Sequence, residues 1–420
     1  MTPKTKNSDQ GKIVAGLDLG TTKVSACMGR TCPDGSVEIT GIGTRPSGGV
    51  RHGMVVNIEA TVDAVRGAIH EAESMSGEKM SAVHVAIGGE HIKCVNSQGN
   101  AAIRDGEVTS AILDLALESA IAIPLSNDEK IIHVIPQEYA IDWQAGIREP
   151  GGMSGTRLDA NVHVVVGAKN ALSNIAKCIG LCGLDIQDIV VEPIAAATSV
   201  LTDEEKELGV CLLDIGGGTT DVAVYTDGSL RHTEIIPIAG DSVTRDIAMT
   251  FRTPAQHAEQ VKIKYACALQ DLTDENESIK VPGLADRPAT EIPRQMLASV
   301  VESRYRELYN LVHNKLQEAN ISKEKLGSGV ILTGGAATME GAAELAEEIF
   351  HLPVSSGKPK NLQGLNDLYD NSAYSTCTGL LVYACSRKRG WMYEPRETRN
   401  GFKFSWRAIR TWLHKTYKQI

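Results

Sequence analysis

The sequence contains no CxxC pair and no HExxH or comparable cluster of metal-ligand residues among its eleven His. Its nine Cys are odd in number and scattered, and Cys94, Cys211 and Cys267 sit inside apolar runs as small core residues do. These absences argue against a disulfide framework and a zinc motif, and they point to a reducing compartment. No apolar run is long enough to span a bilayer. The polar stretch MTPKTKNSDQ lacks the apolar core of a secretory signal, and Thr2 stands where myristoylation needs glycine. The expectation is a cytosolic protein, or one tethered peripherally.

What is present is a chain of 420 residues, 42% of them hydrophobic, enough for about two to four domain-sized units with real cores. The formal charge is −10, which argues against nucleic acid as the main partner, but the charge is unevenly spread. From Arg387 to the last residue ten Lys or Arg stand against two Glu, which leaves the preceding body at −18. A terminal segment so basic implies an anionic target of its own.

One device occurs twice. The stretch 17–35 reads LDLGTTKVSACMGRTCPDG and the stretch 213–228 reads LDIGGGTTDVAVYTDG. Each copy is an apolar strand ending in Asp, a Gly and Thr turn, a β-rich run, and an Asp-Gly that fits a two-residue hairpin turn. Glycine admits close backbone approach, N–H groups and Thr hydroxyls donate to an anion, and a strand-end carboxylate can hold a hydrated divalent cation. Two such loops facing one ligand would clamp a polyphosphate. An ionised Asp closing an apolar strand needs a cation or donors beside it, and Asp18 and Asp214 both occupy that position. Lys23 offers a point charge to the phosphates.

Between and beyond the loops, periodicity predicts the following elements. Helices fit 58–74, with Val62, Val65, Ile69 and Ala72 at helical spacing, and 170–182, with Gly183 as a stop. Residues 91–169 form an irregular α+β stretch, read as an inserted subdomain. A long helix from Arg294 to about Gln317 carries Leu297, Val300, Val301, Leu308, Leu311, Val312 and Leu316 as its buried stripe. The polar segment 271–290, with Pro and Gly, reads as a hairpin or loop. A last buried helix is predicted at 374–383.

Taken in order, these motifs resemble the superfamily of two-lobed nucleotide-binding proteins that includes actin, Hsp70 and the sugar kinases. GLDLGTTK at 16–23 resembles the first phosphate loop, VEPIAAA at 191–197 the first connecting segment, and LDIGGGTTD at 213–221 the second phosphate loop. LTGGAA at 332–337 is similar to the adenosine motif, and YSTCTGLLVYA at 374–384 to the second connecting helix. Within the superfamily, AEQVK at 258–262 is similar to the segment whose Glu and Lys meet ribose and purine.

The resemblance implies an α/β fold of actin-like, duplicated ribonuclease H-like type that binds ATP or ADP with Mg2+. Its ligands would be Asp18, Gly20, Thr21, Thr22 and Lys23 of the first loop and Asp214, Gly216, Gly217, Gly218, Thr219 and Thr220 of the second. Gly240, Glu259, Lys262, Gly334, Gly335 and Ala336 would complete the site, and Asp18 and Asp214 would hold the magnesium through water. Glu192, in the first connecting segment, is the candidate for orienting an attacking water. Turnover is expected to be slow at most.

A closer resemblance, running nearly end to end, is to the FtsA family of actin-related bacterial division proteins. HVIPQEYAID and GMSG resemble that family's inserted subdomain, ELGVCLLDIGGGTTDVAVYTDGSLRHT and VILTGGAATMEG its nucleotide segments, and SRYRELYNLV its partner-binding subdomain. The implied organisation is a first-lobe core at 11–90, continued at 170–206 and 374–386, with the insertion at 91–169. The second-lobe core lies at 207–240 and 313–373 around a partner-binding subdomain at 241–312, and a linker at 387–401 precedes a helix at 402–420.

That final segment, FKFSWRAIRTWLHKTYKQI, has no acid. At helical spacing Phe402, Trp406, Ile409, Leu413, Tyr417 and Ile420 line one side with Trp412 at its edge. Lys403, Arg407, Arg410, Lys415 and Lys418 fall elsewhere around it. This is the pattern of an interfacial amphipathic helix on an anionic membrane, weak singly and strengthened by avidity in a polymer.

The family resemblance implies a division-ring adaptor at the cytoplasmic face of the inner membrane, at the division site. It would form actin-like filaments of itself, capture the C-terminal peptide of the tubulin-like protein FtsZ, and meet downstream divisome proteins through the insertion. Arg287, Arg294, Arg304 and Arg306 are the candidate peptide-binding cations. The alternative is a small-molecule, sugar-type kinase, which would need an acceptor-activating Asp motif that the sequence does not display.

Overall fold

The first apolar run, Ile13–Leu19, pairs antiparallel with Lys23–Thr31 and parallel with Ala82–Ile87. These strands belong to a six-stranded sheet in the order Asp185–Val191, Ala82–Ile87, Ile13–Leu19, Lys23–Thr31, Val37–Pro46, Leu362–Gly364. The second copy repeats the plan. Val210–Ile215 pairs antiparallel with Thr220–Thr226 and parallel with Val330–Thr333, inside a five-stranded sheet closed by Ser229–Ile236 and Val354–Ser356. Both hairpins are largely buried, as strands in the middle of a sheet covered on both faces are.

The structure is a computed structural model that describes residues 11–104, 106–284, 287–360, 362–365 and 370–386. The linker and the amphipathic helix read at 387–420 lie outside the described residues. Among the described residues no helix is long and apolar enough to cross a membrane. The described chain divides into two compact units: residues up to Ser97, Pro124–His133 and His163 to Ser386 form the larger, and Gln98–Ile123 and Val134–Val162 form the smaller. The larger holds both sheets. The smaller contains the helix Ser110–Ala120, capped by the Thr109 hydroxyl, and parts of a four-stranded sheet ordered Ile92–Ala102, Arg157–Ala168, Glu129–Ile141, Gln144–Ile147.

Three helices position the site. The helix Ile58–Ser76 starts at an Asn57 cap and buries Val62, Val65, Ile69 and Ala72. The helix Glu192–Val200, begun by Glu192-Pro193, packs against Ser375–Ser386. The long helix Arg294–Glu318 buries Leu297, Val301, Leu308, Val312 and Leu316 in the second core, while Val300 and Leu311 are only partly buried. Tyr305 and Tyr309 share that buried stripe, because each hydroxyl finds a backbone carbonyl, Ala336 at 2.7 Å and Ala342 at 3.0 Å.

The polar segment after Asp271 forms the short antiparallel pair Ser278–Val281 and Thr290–Pro293. The two Asp-Gly turns differ. Asp227-Gly228 is a two-residue turn between the paired residues Thr226 and Ser229, with φ of 52° and 69°. In the first copy Thr31 pairs with Val37, and the Cys32 N–H donates to Ser36 O at 2.9 Å, so the loop is Pro33-Asp34-Gly35. A two-residue turn at Asp34-Gly35 would need residue 33 to donate its N–H to Ser36 O, and Pro33 has none, so the pairing moves back to Cys32.

Candidate functional site

Asp18 and Asp214 end equivalent strands and sit on equivalent parallel neighbours, Asp18 beside Ala86 and Asp214 beside Thr333. Both carboxyls reach one cavity of about 530 Å3. The two glycine loops touch. A Cβ at Gly217 would overlap the Thr22 hydroxyl and one at Gly218 the Thr21 hydroxyl, so only glycine admits this approach. Gly216 N–H donates to Thr219 O at 3.0 Å, and Gly240 N–H and Asp241 N–H donate to Gly216 O and Gly217 O at 3.1 and 2.7 Å. The second loop is thereby held against the start of the helix Gly240–Thr250.

The cavity also takes in Gly20, Lys23, Gly334, Gly335, Ala336 and Glu192. Gly334, with φ of 93°, brings its backbone onto the Asp214 carboxylate. The Lys23 ammonium lies 3.8 Å from the centre of the Tyr374 ring. Lys262 is buried and donates to Gly240 O at 3.1 Å and to the Thr244 hydroxyl at 2.8 Å, while its ion pair with Glu259 spans 2.7 Å. Glu259 also accepts from Thr244. Thr220 is the residue of the expected set that does not line the cavity: it is fully buried and its hydroxyl donates to Ile238 O at 2.7 Å, tying strand to loop.

Charge accumulates here without full compensation. Burial pushes the Asp18 carboxyl up to about 7, with Lys23 opposing and Asp214 adding to the rise. Burial also pushes Asp214 up to about 6, against a 2.9 Å hydrogen bond from the Thr376 hydroxyl and the field of Lys23. Glu192 and Asp221 are hydrogen-bonded to each other, and burial drives both well above the usual carboxylate range, with Asp221, Asp18 and Asp214 adding to the rise at Glu192. A hydrogen bond between two carboxyls requires a proton on one of them. In this state Glu192 is half of an acid pair, and Asp18, Asp214 and Asp221 border the same cavity.

Several residues of the cavity were not singled out in the sequence. Asp221 was visible as the last letter of LDIGGGTTD, but its meeting with Glu192 is a long-range event. Thr376 stands in the quoted stretch YSTCTG and Ser372, whose hydroxyl donates to Gly334 O at 3.1 Å, just before it. Tyr305 closes the Ala336 side of the cavity.

The four arginines do not present one free basic face. Arg294 bonds Tyr265 O at 2.8 Å and pairs with Glu277 and Glu340. Arg304 grips Asp246 with two nitrogens at 2.6 and 3.0 Å and also meets Glu307. Arg306 bridges Glu302 and Glu348 at 2.8 and 2.9 Å. Arg287 is exposed.

Comparison with known proteins places this geometry. Residues 211–379 match the family model described as Cell division protein FtsA, and residues 89–166 match the SHS2 domain inserted in FTSA. The Cell division protein FtsA of Pseudomonas aeruginosa is 52% identical over 382 residues, 91% of this chain and 91% of the relative. The chain belongs to the FtsA family.

The Escherichia coli K12 FtsA is 42% identical over 414 residues, 97% of this chain and 98% of that relative. Among solved structures, the PilM-PilN type IV pilus biogenesis complex matches with a TM-score of 0.65 at 16% identity, covering 89% of this chain and 98% of that one. MreB5 of Spiroplasma citri bound to ADP matches with a TM-score of 0.52 at 16% identity, covering 90% and 99%. The fold of this FtsA-family chain is therefore the actin-like ATPase fold with an SHS2 insertion.

Proposed function

We propose that this FtsA-family protein binds ATP or ADP with Mg2+ in the cavity between its two glycine loops, polymerises on the inner membrane at the division site, and tethers the FtsZ ring there. The observation that carries the nucleotide reading is the convergence of Asp18 and Asp214 on one cavity whose opposing loops interlock through Thr21, Thr22, Gly217 and Gly218. The neighbour MreB5, of the same fold, is bound to ADP in its solved structure. Backbone N–H groups, Thr hydroxyls and Lys23 suit phosphates, and Glu259, Lys262 and Ala336 suit the nucleoside.

Among the described residues no three His, Cys, Asp or Glu cluster as direct metal ligands. The cation that suits Asp18 and Asp214 is accordingly one held through its water, and it would offset the burial that raises both carboxyls. When bound it would neutralise phosphate charge. The protein's own part is to fix the phosphates and exclude water, and a protonated Glu192–Asp221 pair makes a poor base, which fits slow hydrolysis.

The residues read as membrane-facing, Phe402, Trp406, Arg407, Ile409, Arg410, Trp412, Leu413, Lys415, Tyr417 and Lys418, are proposed on sequence pattern alone. The FtsZ peptide is proposed to meet the 241–312 region, with Arg287 as the available cation, and downstream divisome proteins to meet the SHS2 insertion. Co-sedimentation with anionic vesicles, with and without ATP, tests the reading on the intact chain and on one truncated before Phe402. Truncation should abolish lipid binding and leave nucleotide binding intact; retained sedimentation of the truncated chain would refute the tail assignment.

A further inference from the structure

Between the short turn Ser372–Tyr374 and the first turn of the helix Ser375–Ser386, three alternate residues reach three parts of the cavity. The Ser372 hydroxyl donates to Gly334 O and the Thr376 hydroxyl to the Asp214 carboxylate. Between them Tyr374 sets its ring against the Lys23 ammonium, 3.8 Å from the ring centre. This third contact is of a different kind, a full charge on the face of an aromatic ring.

The ring is held in place on several sides. Its hydroxyl accepts from the Thr44 hydroxyl at 3.4 Å, the Tyr374 N–H donates to Asn371 O at 3.0 Å, and the Tyr374 carbonyl accepts from the Thr378 hydroxyl at 2.8 Å. The side chain also packs against the buried cluster that includes Cys27, Ile39 and Leu381. Lys23 opens the strand Lys23–Thr31, in which Ser25 pairs with Thr44. One sheet thus carries both the lysine and the group that steadies the ring.

What the ring does for the lysine follows from the partners within its reach. Lys23 borders the cavity together with Asp18 and Asp214, and its field lowers both carboxyls against their burial. An ammonium on a flexible four-carbon stem is drawn onto such acids, yet among the described residues Lys23 forms an ion pair with neither of them. A carboxylate neutralises the cation it holds. A π face attracts the cation through its quadrupole and carries no net charge, so the ammonium keeps its full charge while Lys23 still borders the cavity. We propose that Tyr374 is a positioning residue whose ring holds the Lys23 ammonium at the cavity wall, off Asp18 and Asp214, so that the lysine stays available to phosphate and the two carboxylates to a hydrated cation. The proposal rests on the nucleotide reading above. The contact is made before a ligand arrives and is kept in the occupied site. It favours binding because no ion pair has to be broken and the lysine side chain is already ordered.

The test titrates the full chain, with Mg2+, against the non-hydrolysable triphosphate AMPPNP. Tyr374→Leu should weaken binding about fivefold, and Tyr374→Phe, which keeps the ring, should recover most of that loss. Phenylalanines carrying one, two and three ring fluorines in place of Tyr374 keep the shape while draining the negative potential of the ring face, and affinity should fall stepwise along that series. A second readout needs no nucleotide. In the free protein the ring current should move the Lys23 side-chain methylene resonances upfield, a shift that Tyr374→Leu removes and that saturating AMPPNP preserves. A flat fluorine series overturns the role of Tyr374. So does tighter binding by Tyr374→Leu, or an upfield shift lost on adding AMPPNP, since either would make the ring a competitor of the phosphate. If wild type shows the upfield shift and binds no AMPPNP, the nucleotide reading falls and takes this one with it. Should Tyr374→Leu fail to fold, the fluorinated series and the wild-type resonances decide.

Discussion

The Thr376 hydroxyl donates to the Asp214 carboxylate at 2.9 Å, joining the first turn of the last described helix to the end of a strand in the second sheet. Both partners are buried. The bond favours the ionised form of Asp214 against the burial that disfavours it.

Replacing Thr376 with Val keeps the shape and removes that donor. Asp214 then rises further, and at pH 7 a larger share of the protein carries it protonated. Affinity for Mg2+-nucleotide should fall about tenfold at pH 7 and recover partly at pH 8.5, where Asp214 ionises regardless. Fluorescent-nucleotide titration at both pH values reads this; a loss independent of pH would assign Thr376 a packing role only.

The unliganded protein should lose stability across the titration of Asp18. Its folded-state value, about 7, is raised above the ordinary 3.8, so its contribution is fully present below about pH 4 and is lost as pH rises through 7. Asp214, raised to about 6, acts in the same sense. His163, lowered to about 3 by burial, acts in the opposite sense, its contribution present above about 6.5 and lost as pH falls. Asp18→Asn isolates the first effect: it should raise the melting temperature of the unliganded chain by a few degrees at pH 8 and change it little at pH 5. Equal shifts at both pH values would exclude a charge origin.

Charge reversal separates the arginines. Arg306→Glu sets a negative charge beside Glu302 and Glu348 and should lower the melting temperature by a few degrees. Arg287→Glu, on an exposed residue, should leave melting unchanged and weaken binding of an acidic FtsZ C-terminal peptide severalfold. Calorimetry with that peptide, alongside thermal scans, checks both; peptide binding insensitive to Arg287 would remove it from the interface.

The thiols should differ in reactivity. Burial pushes Cys94 and Cys211 up to about 12, and Cys377 is fully buried, whereas Cys32 is partly exposed. Brief alkylation of the native protein at pH 8, read by mass spectrometry, should label Cys32 well before Cys94, Cys211 or Cys377. Early labelling of Cys211 would mean that the second sheet opens on that timescale.

The glycine loops and their strand-end aspartates were legible because their constraint is local: a strand must stop, and the backbone must approach a neighbour. The hydrophobic stripe of the long helix was legible for the same reason, through its period. Tyr305 and Tyr309 were missed from that stripe because a tyrosine is buried only if its hydroxyl finds a partner, and the carbonyls of Ala336 and Ala342 lie far along the chain. The tertiary pairing of three of the arginines was illegible for a similar reason. Glu302 and Glu307 stand at helical spacing from Arg306 and Arg304 on the same helix, but the acids at 246, 277, 340 and 348 are distributed over other elements. The Glu192–Asp221 pair, likewise, exists only once both sheets are assembled.

Ser375–Ser386 is the last described helix, and its opening turn is pinned through Thr376 to Asp214 and through Ser375 to Thr333, hydroxyl to hydroxyl at 2.7 Å. On the proposed reading of the C-terminal segment as a membrane anchor, tension on that segment would enter the molecule along this rod. Its far end is fastened at the carboxylate that ends the second strand-loop copy, so mechanical load and ligand occupancy would act on a single joint.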